Sequence, residues 1–320
     1  METEPSPQSS IINHPRLHSD QGGISAPLQQ SSIHYAPAKL NLRLKITGRR
    51  PDGYHNLVSI MAPVSLYDRI ELQITSRNLI TISCEGFSAP ADKENLACRA
   101  AQAFFAHTGI EHGLSIKLTK NIPVAAGLGG GSSDAACVLK ALNQIWSYPL
   151  PARKLAELAL GLGADVPFFL TEKPCIVRGI GEILEPIEKW PKLWYIIVTP
   201  PIRVSTAWVY GNLNWSPLES AGELELTKNE YQFIIANLKK KAFVIGRILE
   251  NDLERVTASH FPAIEDIKKT LMDSGADGVL MSGSGPSVFG VFESKDRARQ
   301  AKTDLTSLDI GDIFLAEGLV

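Results

Sequence analysis

Four glycines and two serines stand directly ahead of a stretch with helical periodicity, in the run Pro123, Val124, Ala125, Ala126, Gly127, Leu128, Gly129, Gly130, Gly131, Ser132, Ser133. Glycine has no β-carbon, so successive backbone N–H groups can turn toward a single ligand. The helix that follows would add unpaired N–H groups and the positive end of its dipole. Ser132 or Ser133 would cap that helix, and a serine hydroxyl there can donate to an anion or ligate Mg²⁺. The chemistry on offer is capture of phosphate. A tight turn closed by an ordinary Ser-Asp cap is the plain alternative, and the run by itself fits both.

Spacing separates this loop from two common phosphate loops. A P-loop needs lysine after its last glycine, and Ser132 follows Gly131. A dinucleotide fingerprint starts at Gly127 and Gly129, but Ser132 takes the place of its third glycine, which disfavours a nicotinamide-dependent dehydrogenase.

Periodicity outlines the elements that must hold the loop. Leu40, Leu42, Leu44 and Ile46 alternate, which predicts a half-buried strand over 39–47 with Lys39, Asn41, Arg43 and Lys45 on its polar face. Pro51-Asp52-Gly53 signals a turn. Extended segments follow in "HNLVSIMAPVSL", "RIELQIT" and "LITIS", then a helix across "KENLACRAAQAFFAHTG". "LSIKLTKNIP" alternates through Leu114, Ile116 and Leu118, a pattern suited to an antiparallel sheet. Beyond the loop, Ala135, Val138, Leu139, Leu142, Ile145 and Trp146 form one helical stripe.

A boundary falls at the prolines of 186–191. The second half reads as a buried strand in "LWYIIVTPP", a polar loop over 211–230, and a helix over 231–256 broken near Lys240. An amphipathic helix, a strand–turn–strand through "MSGSGPSVF", a helix capped by Ser294 and a last strand complete it. The mixture predicts an α+β protein: a disordered tail over 1–32, an N-terminal nucleotide-binding and catalytic domain over 33–188 and a C-terminal domain over 189–320.

Composition narrows the partners. A net charge of −2 offers no global attraction for nucleic acid or an anionic membrane. No apolar run is long enough to cross a bilayer, and the Ser/Gln/Pro-rich start lacks a secretory core. None of the four cysteines has C-x-x-C spacing. These features point to a cytoplasmic protein with no nucleic-acid or membrane partner; a small-molecule substrate and a monomer or weak homodimer are the accompanying expectations.

Four motifs occur in order: "PAKLNL" with "GRRPDGYH", the glycine loop, "LGADVPFF" and "MSGSGPSVF". Together they resemble the GHMP kinase superfamily, named for galactokinase, homoserine kinase, mevalonate kinase and phosphomevalonate kinase, from about Ala36 to the C-terminus. The resemblance implies a two-domain GHMP kinase fold, with an N-terminal ribosomal-protein-S5-like domain and a C-terminal ferredoxin-like α/β sandwich. It also implies ATP-dependent phosphorylation of an alcohol with Mg²⁺, the triphosphate lying on Pro123–Ser133. Within the superfamily it points to the 2-hydroxyl of a methylerythritol that carries a cytidine diphosphate, in the non-mevalonate isoprenoid route. Another alcohol such as homoserine or mevalonate, or a non-catalytic nucleotide-binding regulator, is the alternative.

The same resemblance assigns roles. Asp165 would accept or orient the substrate hydroxyl, where the plain reading is a helix cap. Lys39 would hold Asp165 ionised and draw charge off the attacking oxygen, where the plain reading is a solvated strand lysine. Asn41 would contact the sugar alcohol. Tyr54 and Tyr210 would stack on the cytosine, His55 would bond its polar edge, and Thr206 would touch the substrate. Ser133 is the candidate for contact with Mg²⁺. Gly283 and Gly285 would bring a second turn close to the phosphates. Arg49 and Arg50 read as a solvated pair, and Glu182 as a surface turn. Alanine stands at 125 and 126 where the family often has glycine, so φ is expected to be negative at both.

Overall fold

The computed structural model describes residues 31–214, 223–238 and 244–320. The expected tail, apart from its last two residues, lies outside them; Ser31 and Ser32 already open the first strand.

Two sheets organise the chain. The first has seven strands, in the order β3 (Ile80–Gly86), β4 (Gly113–Lys120), β2 (His55–Thr75), β1 (Ser31–Arg49), β8 (Glu250–Asn251), with β5 (Cys175–Gly179) on β2 and β6 (Ile183–Pro186) on β5. The second is antiparallel, in the order β11 (Asp312–Glu317), β7 (Trp194–Thr199), β10 (Val288–Phe292), β9 (Gly278–Met281). The chain changes sheets between Pro186 and Trp194, at the proline-marked boundary. It also crosses back: β8 pairs in parallel with β1, and Leu319 N–H donates to the Pro63 carbonyl of β2.

The segments read separately as "HNLVSIMAPVSL" and "RIELQIT" are one 21-residue strand. Its first part pairs with β5 and its second with β4, while β1 runs along the other side through three register shifts. β4 is antiparallel to β2, as its alternation predicts, and parallel to β3.

Apolar packing forms layers. Helices α1 (Leu96–Thr108), α2 (Gly130–Ile145) and α3 (Ala152–Leu162) cover one face of the first sheet through Phe104, Leu139 and Ile116. Leu40, Leu42 and Ile60 on the other face meet Tyr195 and Phe289 of the second sheet. Beyond that sheet, Ile196 and Val198 pack against α8 (Ala263–Asp273) and α9 (Lys295–Leu305). The centre of β1 is therefore covered on both faces. Lys39, Asn41 and Arg43 are buried, which corrects the expected half-buried strand.

Three local readings also change. Helix α2 begins at Gly130 behind a left-handed Gly129 (φ 71°) and takes no side-chain cap, so Ser132 and Ser133 lie inside its first turn. Only the left-handed cap lets the chain pass from the loop into the helix at that point. A helix, α6 (Glu223–Leu238), begins in the stretch read as a polar loop. Tertiary contacts override its weak pattern: Thr227 Oγ1 bonds Thr47 Oγ1 at 3.0 Å, and Glu230 pairs with Arg43. The expected long helix over 231–256 instead gives way after α6 to a 3₁₀ turn at Ile245–Arg247, then β8, then α7 (Glu254–His260). Residues 239–243 lie outside the described set.

Arg43 pins α6 to β1. Its Nη2 lies 2.6 Å from Glu230 Oε2 and 2.7 Å from Glu250 Oε2, with the guanidinium 4.7 Å over the Phe233 ring. Replacing Arg43 by Ala strands the well-covered Glu230 carboxylate, whereas Glu250 keeps its pair with Lys45. The expected cost is about 2–3 kcal/mol of folding stability, read from the urea midpoint. A change below about 0.5 kcal/mol would show that the contact is surface decoration.

Candidate active site

One cavity of about 940 Å³ opens where the glycine loop, the β1–β2 turn, the turn between α3 and α4 (Phe168–Thr171), α5 (Thr206–Gly211) and the β9–β10 turn converge. Every site residue expected from the sequence lines it except Leu128, Ser133 and Gly285. Leu128 is buried beneath, and its carbonyl accepts the backbone N–H of Lys39 at 2.9 Å, which ties the loop to β1. Ser133 is buried, its Oγ without a hydrogen-bond partner.

Strand periodicity puts Lys39 and Asn41 on one face, and the Lys39 ammonium donates to Asn41 Oδ1. Asn41 is held in turn: its Nδ2 donates to Ser59 Oγ at 3.0 Å and its backbone N–H to Ser282 Oγ at 3.2 Å. Ser282 Oγ donates to the Gly127 carbonyl at 2.9 Å. The "MSGSGPSVF" turn therefore bridges β1 and the glycine loop.

Asp165 comes from the other end of the cavity. Its Oδ2 stands 3.9 Å from Lys39 Nζ, with the lysine side chain 5% and the carboxylate 41% exposed. The short helix α4 (Phe168–Thr171) starts behind Pro167 and takes no side-chain cap. The helix-cap reading of Asp165 is not realised. Burial holds the Lys39 amine below the ordinary lysine range, and the Asp165 charge opposes that shift.

At the far wall, His55 stacks on Tyr210 with ring centroids 5.2 Å apart. Tyr54 is exposed at the rim. The expected pair of flanking tyrosines is therefore a Tyr210–His55 stack with Tyr54 beside it. Burial, then Arg49, lowers the His55 pKa, so a neutral imidazole faces the cavity near neutral pH. Burial and the Asp165 charge raise that of Tyr210. Thr206 Oγ1 bonds Ser284 Oγ at 2.8 Å. Arg50 pairs with Asp52, whereas Arg49 lines the cavity, so the two do not act as one solvated pair. Glu182 accepts the Ile180 N–H inside its own turn.

The loop carries backbone strain at one place. Ala125 adopts φ 54°, contrary to the expectation of a negative value, while Ala126 is not left-handed. At 125 the chain has to turn outward, and the side chain there is exposed, so its methyl meets no packing obstacle.

Sequence reasoning missed Lys120, Asp68 and Asp134, buried together under the loop. Lys120 Nζ contacts Asp68 Oδ2 and lies 2.7 Å from Asp134 Oδ2. Burial, then Asp68, raises the Asp134 pKa, and Lys120 opposes them. A signal was present. Lys120 falls on the inward phase of Leu114, Ile116 and Leu118, and Asp68 on that of Ile70, Leu72 and Ile74.

The GHMP kinases N terminal domain matches residues 95–173, and the GHMP kinases C terminal domain matches 235–309. A 4-diphosphocytidyl-2-C-methyl-D-erythritol kinase from Syntrophotalea carbinolica is 47% identical over 272 residues, 85% of this chain and 93% of the relative. A crystal structure of 4-(cytidine 5'-diphospho)-2C-methyl-D-erythritol kinase superposes with a TM-score of 0.71 at 35% identity, over 90% of this chain and 99% of that one. A homoserine kinase from Cytophaga hutchinsonii shares the fold, with a TM-score of 0.71 at 20% identity over 94% of this chain and 97% of that one. The chain belongs to the GHMP kinases, and its fold is the two-domain α+β fold of that family.

Two outcomes follow from the geometry. A nitrogen-detected titration should put the Lys39 amine below its ordinary 10.5, and Asp165→Asn should lower it further, because the carboxylate is what raises it. A value at 10.5 would mean that the amine is solvated, and a value above it that the Asp165 charge outweighs burial. Gly127 has φ 78°, and a β-carbon there would come 2.1 Å from the Ser282 carbonyl oxygen. Gly127→Ala should therefore push the two turns apart and cost about 2 kcal/mol or more in thermal unfolding. A wild-type melting point would contradict the close approach.

Proposed function

We infer that this protein is an ATP-dependent kinase that phosphorylates the 2-hydroxyl of 4-diphosphocytidyl-2-C-methyl-D-erythritol, in the non-mevalonate route to isoprenoid precursors. The supporting observation is the buried Lys39 amine 3.9 Å from Asp165, beside a glycine loop that ends in a helix N-terminus. Relatives named for this reaction align over most of the chain.

In this reading the ATP phosphates lie on the N–H groups of Pro123–Ser133, excepting the proline, and the positive end of α2. The nucleoside then extends along the arm lined by Pro90, Asn95 and Leu96, and the cytidine toward His55, Tyr210 and Tyr54. Asn41 and Thr206 orient the alcohol between them. The alcohol oxygen attacks the γ-phosphorus in line, the bond to the β-phosphate oxygen breaks, and ADP leaves. Asp165 takes the hydroxyl proton or aims the hydroxyl, and Lys39 stabilises the charge on the oxygen.

Among the described residues no three His, Cys, Asp or Glu side chains form a metal cage. Mg²⁺ would then be carried by the phosphates of ATP, neutralising their charge, and the buried Ser133 Oγ, which has no hydrogen-bond partner, is the protein's candidate contact. The reading includes a cytoplasmic, monomeric or weakly dimeric enzyme. It places the division between nucleotide-binding and C-terminal domains at 188/189, where the chain changes sheets.

The test is phosphate transfer from ATP to a panel containing the cytidine-bearing alcohol, homoserine and mevalonate. The cytidine compound should be preferred by orders of magnitude, and equal use of the others would remove the substrate assignment. Asp165→Asn should lower kcat about 10³-fold or more and change ATP affinity less than about threefold. Undiminished turnover would remove Asp165 from the chemistry.

A further inference from the structure

The Asp68–Lys120–Asp134 cluster joins the two ends of the glycine loop. Lys120 closes β4, immediately before the loop. Asp68 Oδ1 accepts the backbone N–H of Asn121 at 2.7 Å and of Ile122 at 2.9 Å, so it fixes the chain where the loop leaves the sheet. Asp134 stands on α2, where the loop has ended. One ammonium links both carboxylates, and the three side chains are at most 2% exposed. Gly130 makes room for the link, since a β-carbon there would lie 3.1 Å from Lys120 Nζ.

The charges argue against the obvious role for this lysine. A cation lining a phosphate cavity reads as a phosphate ligand. Here one ammonium already faces two buried carboxylates, so the cluster has no positive charge to spare. Its strength lies in geometry: a buried, multiply bonded link has few alternative arrangements.

We propose that Asp68, Lys120 and Asp134 are positioning residues that clamp the two ends of the glycine loop and hold it in its nucleotide-binding shape. The proposal rests on the loop being the ATP site. The clamp spares the nucleotide the entropy of ordering the loop and the first turn of α2 at the moment of binding. Loss of the link should therefore weaken ATP binding selectively. The alcohol site, held by Asn41, Ser282 and Asp165 on other elements, should be little affected.

The experiment first establishes ATP-dependent transfer by the wild-type full chain; if that fails, the functional reading fails and the clamp is not what has been tested. Asp134→Ala and Asp134→Asn are then compared. Asp134→Ala leaves Lys120 paired with Asp68, so the fold retains a satisfied cation, and a melting curve checks this. Asp134→Ala should raise the KM for ATP and the Kd of a non-hydrolysable ATP analogue about tenfold or more, with kcat and the KM for the alcohol within about threefold. Amide hydrogen exchange over 124–133 should quicken. Asp134→Asn keeps an oxygen acceptor for Lys120 and should restore most of the affinity. Lys120→Met, which removes the cation from both carboxylates, should weaken ATP binding at least as much as Asp134→Ala, and the double variant should be no worse than Lys120→Met alone.

Three results would overturn the clamp. Tighter nucleotide binding in Asp134→Ala would mean that a freed Lys120 binds phosphate directly. A changed Mg²⁺ requirement in Asp134→Asn would make Asp134 a metal ligand. Additive losses in the double variant would mean that the two residues act separately.

Discussion

A lysine amine held out of water, facing a single carboxylate, is the constraint on which the site depends. Taking an ammonium into a protein interior is costly unless partners meet it. Lys39 meets Asn41 and Asp165, and each is delivered by a different device. Strand periodicity delivers Asn41. The turn between α3 and α4 delivers Asp165, which stays partly open to the cavity. The amine is thus fixed from below and left one open direction, toward the space between the glycine loop and the aromatic wall.

The rest of the architecture brings segments distant in sequence to that amine. β1 is buried on both faces only because the second sheet packs against it. The turn between β9 and β10, in the C-terminal half, supplies Ser282, whose hydroxyl accepts from Asn41 and donates to Gly127. Glycines at 127 and 283 let these turns come within contact distance. A two-sheet fold thereby acts as one support, and the cavity lies at its seam rather than inside either half.

Much of this was legible in the sequence, for physical reasons. Alternation placed Lys39 and Asn41 on one face because strand side chains alternate without exception in a regular strand. The glycine run announced its loop, and the helical stripe after it announced α2. What escaped depended on contacts that no local pattern encodes. α6 forms because Arg43 and Thr47 receive it, not because its own periodicity is strong. Ser132 and Ser133 looked like caps, but the left-handed Gly129 starts the helix ahead of them. Ala125 turns through a conformation that its side chain disfavours, and only the geometry of the closed loop imposes it. Lys120 and Asp68 left a trace as charged residues on an apolar phase, and that trace gains meaning only once Asp134 is seen beside them.

The proposed transfer requires one alcohol oxygen between the Lys39 amine and the Asp165 carboxylate, in line with a phosphorus on the glycine loop. The direct measurement is a crystal structure of the complex with a non-hydrolysable ATP analogue and the cytidine-bearing alcohol. The 2-hydroxyl should lie within hydrogen-bond distance of both side chains and face the γ-phosphorus. A hydroxyl bound away from that pair, or a triphosphate seated off the loop, would contradict it.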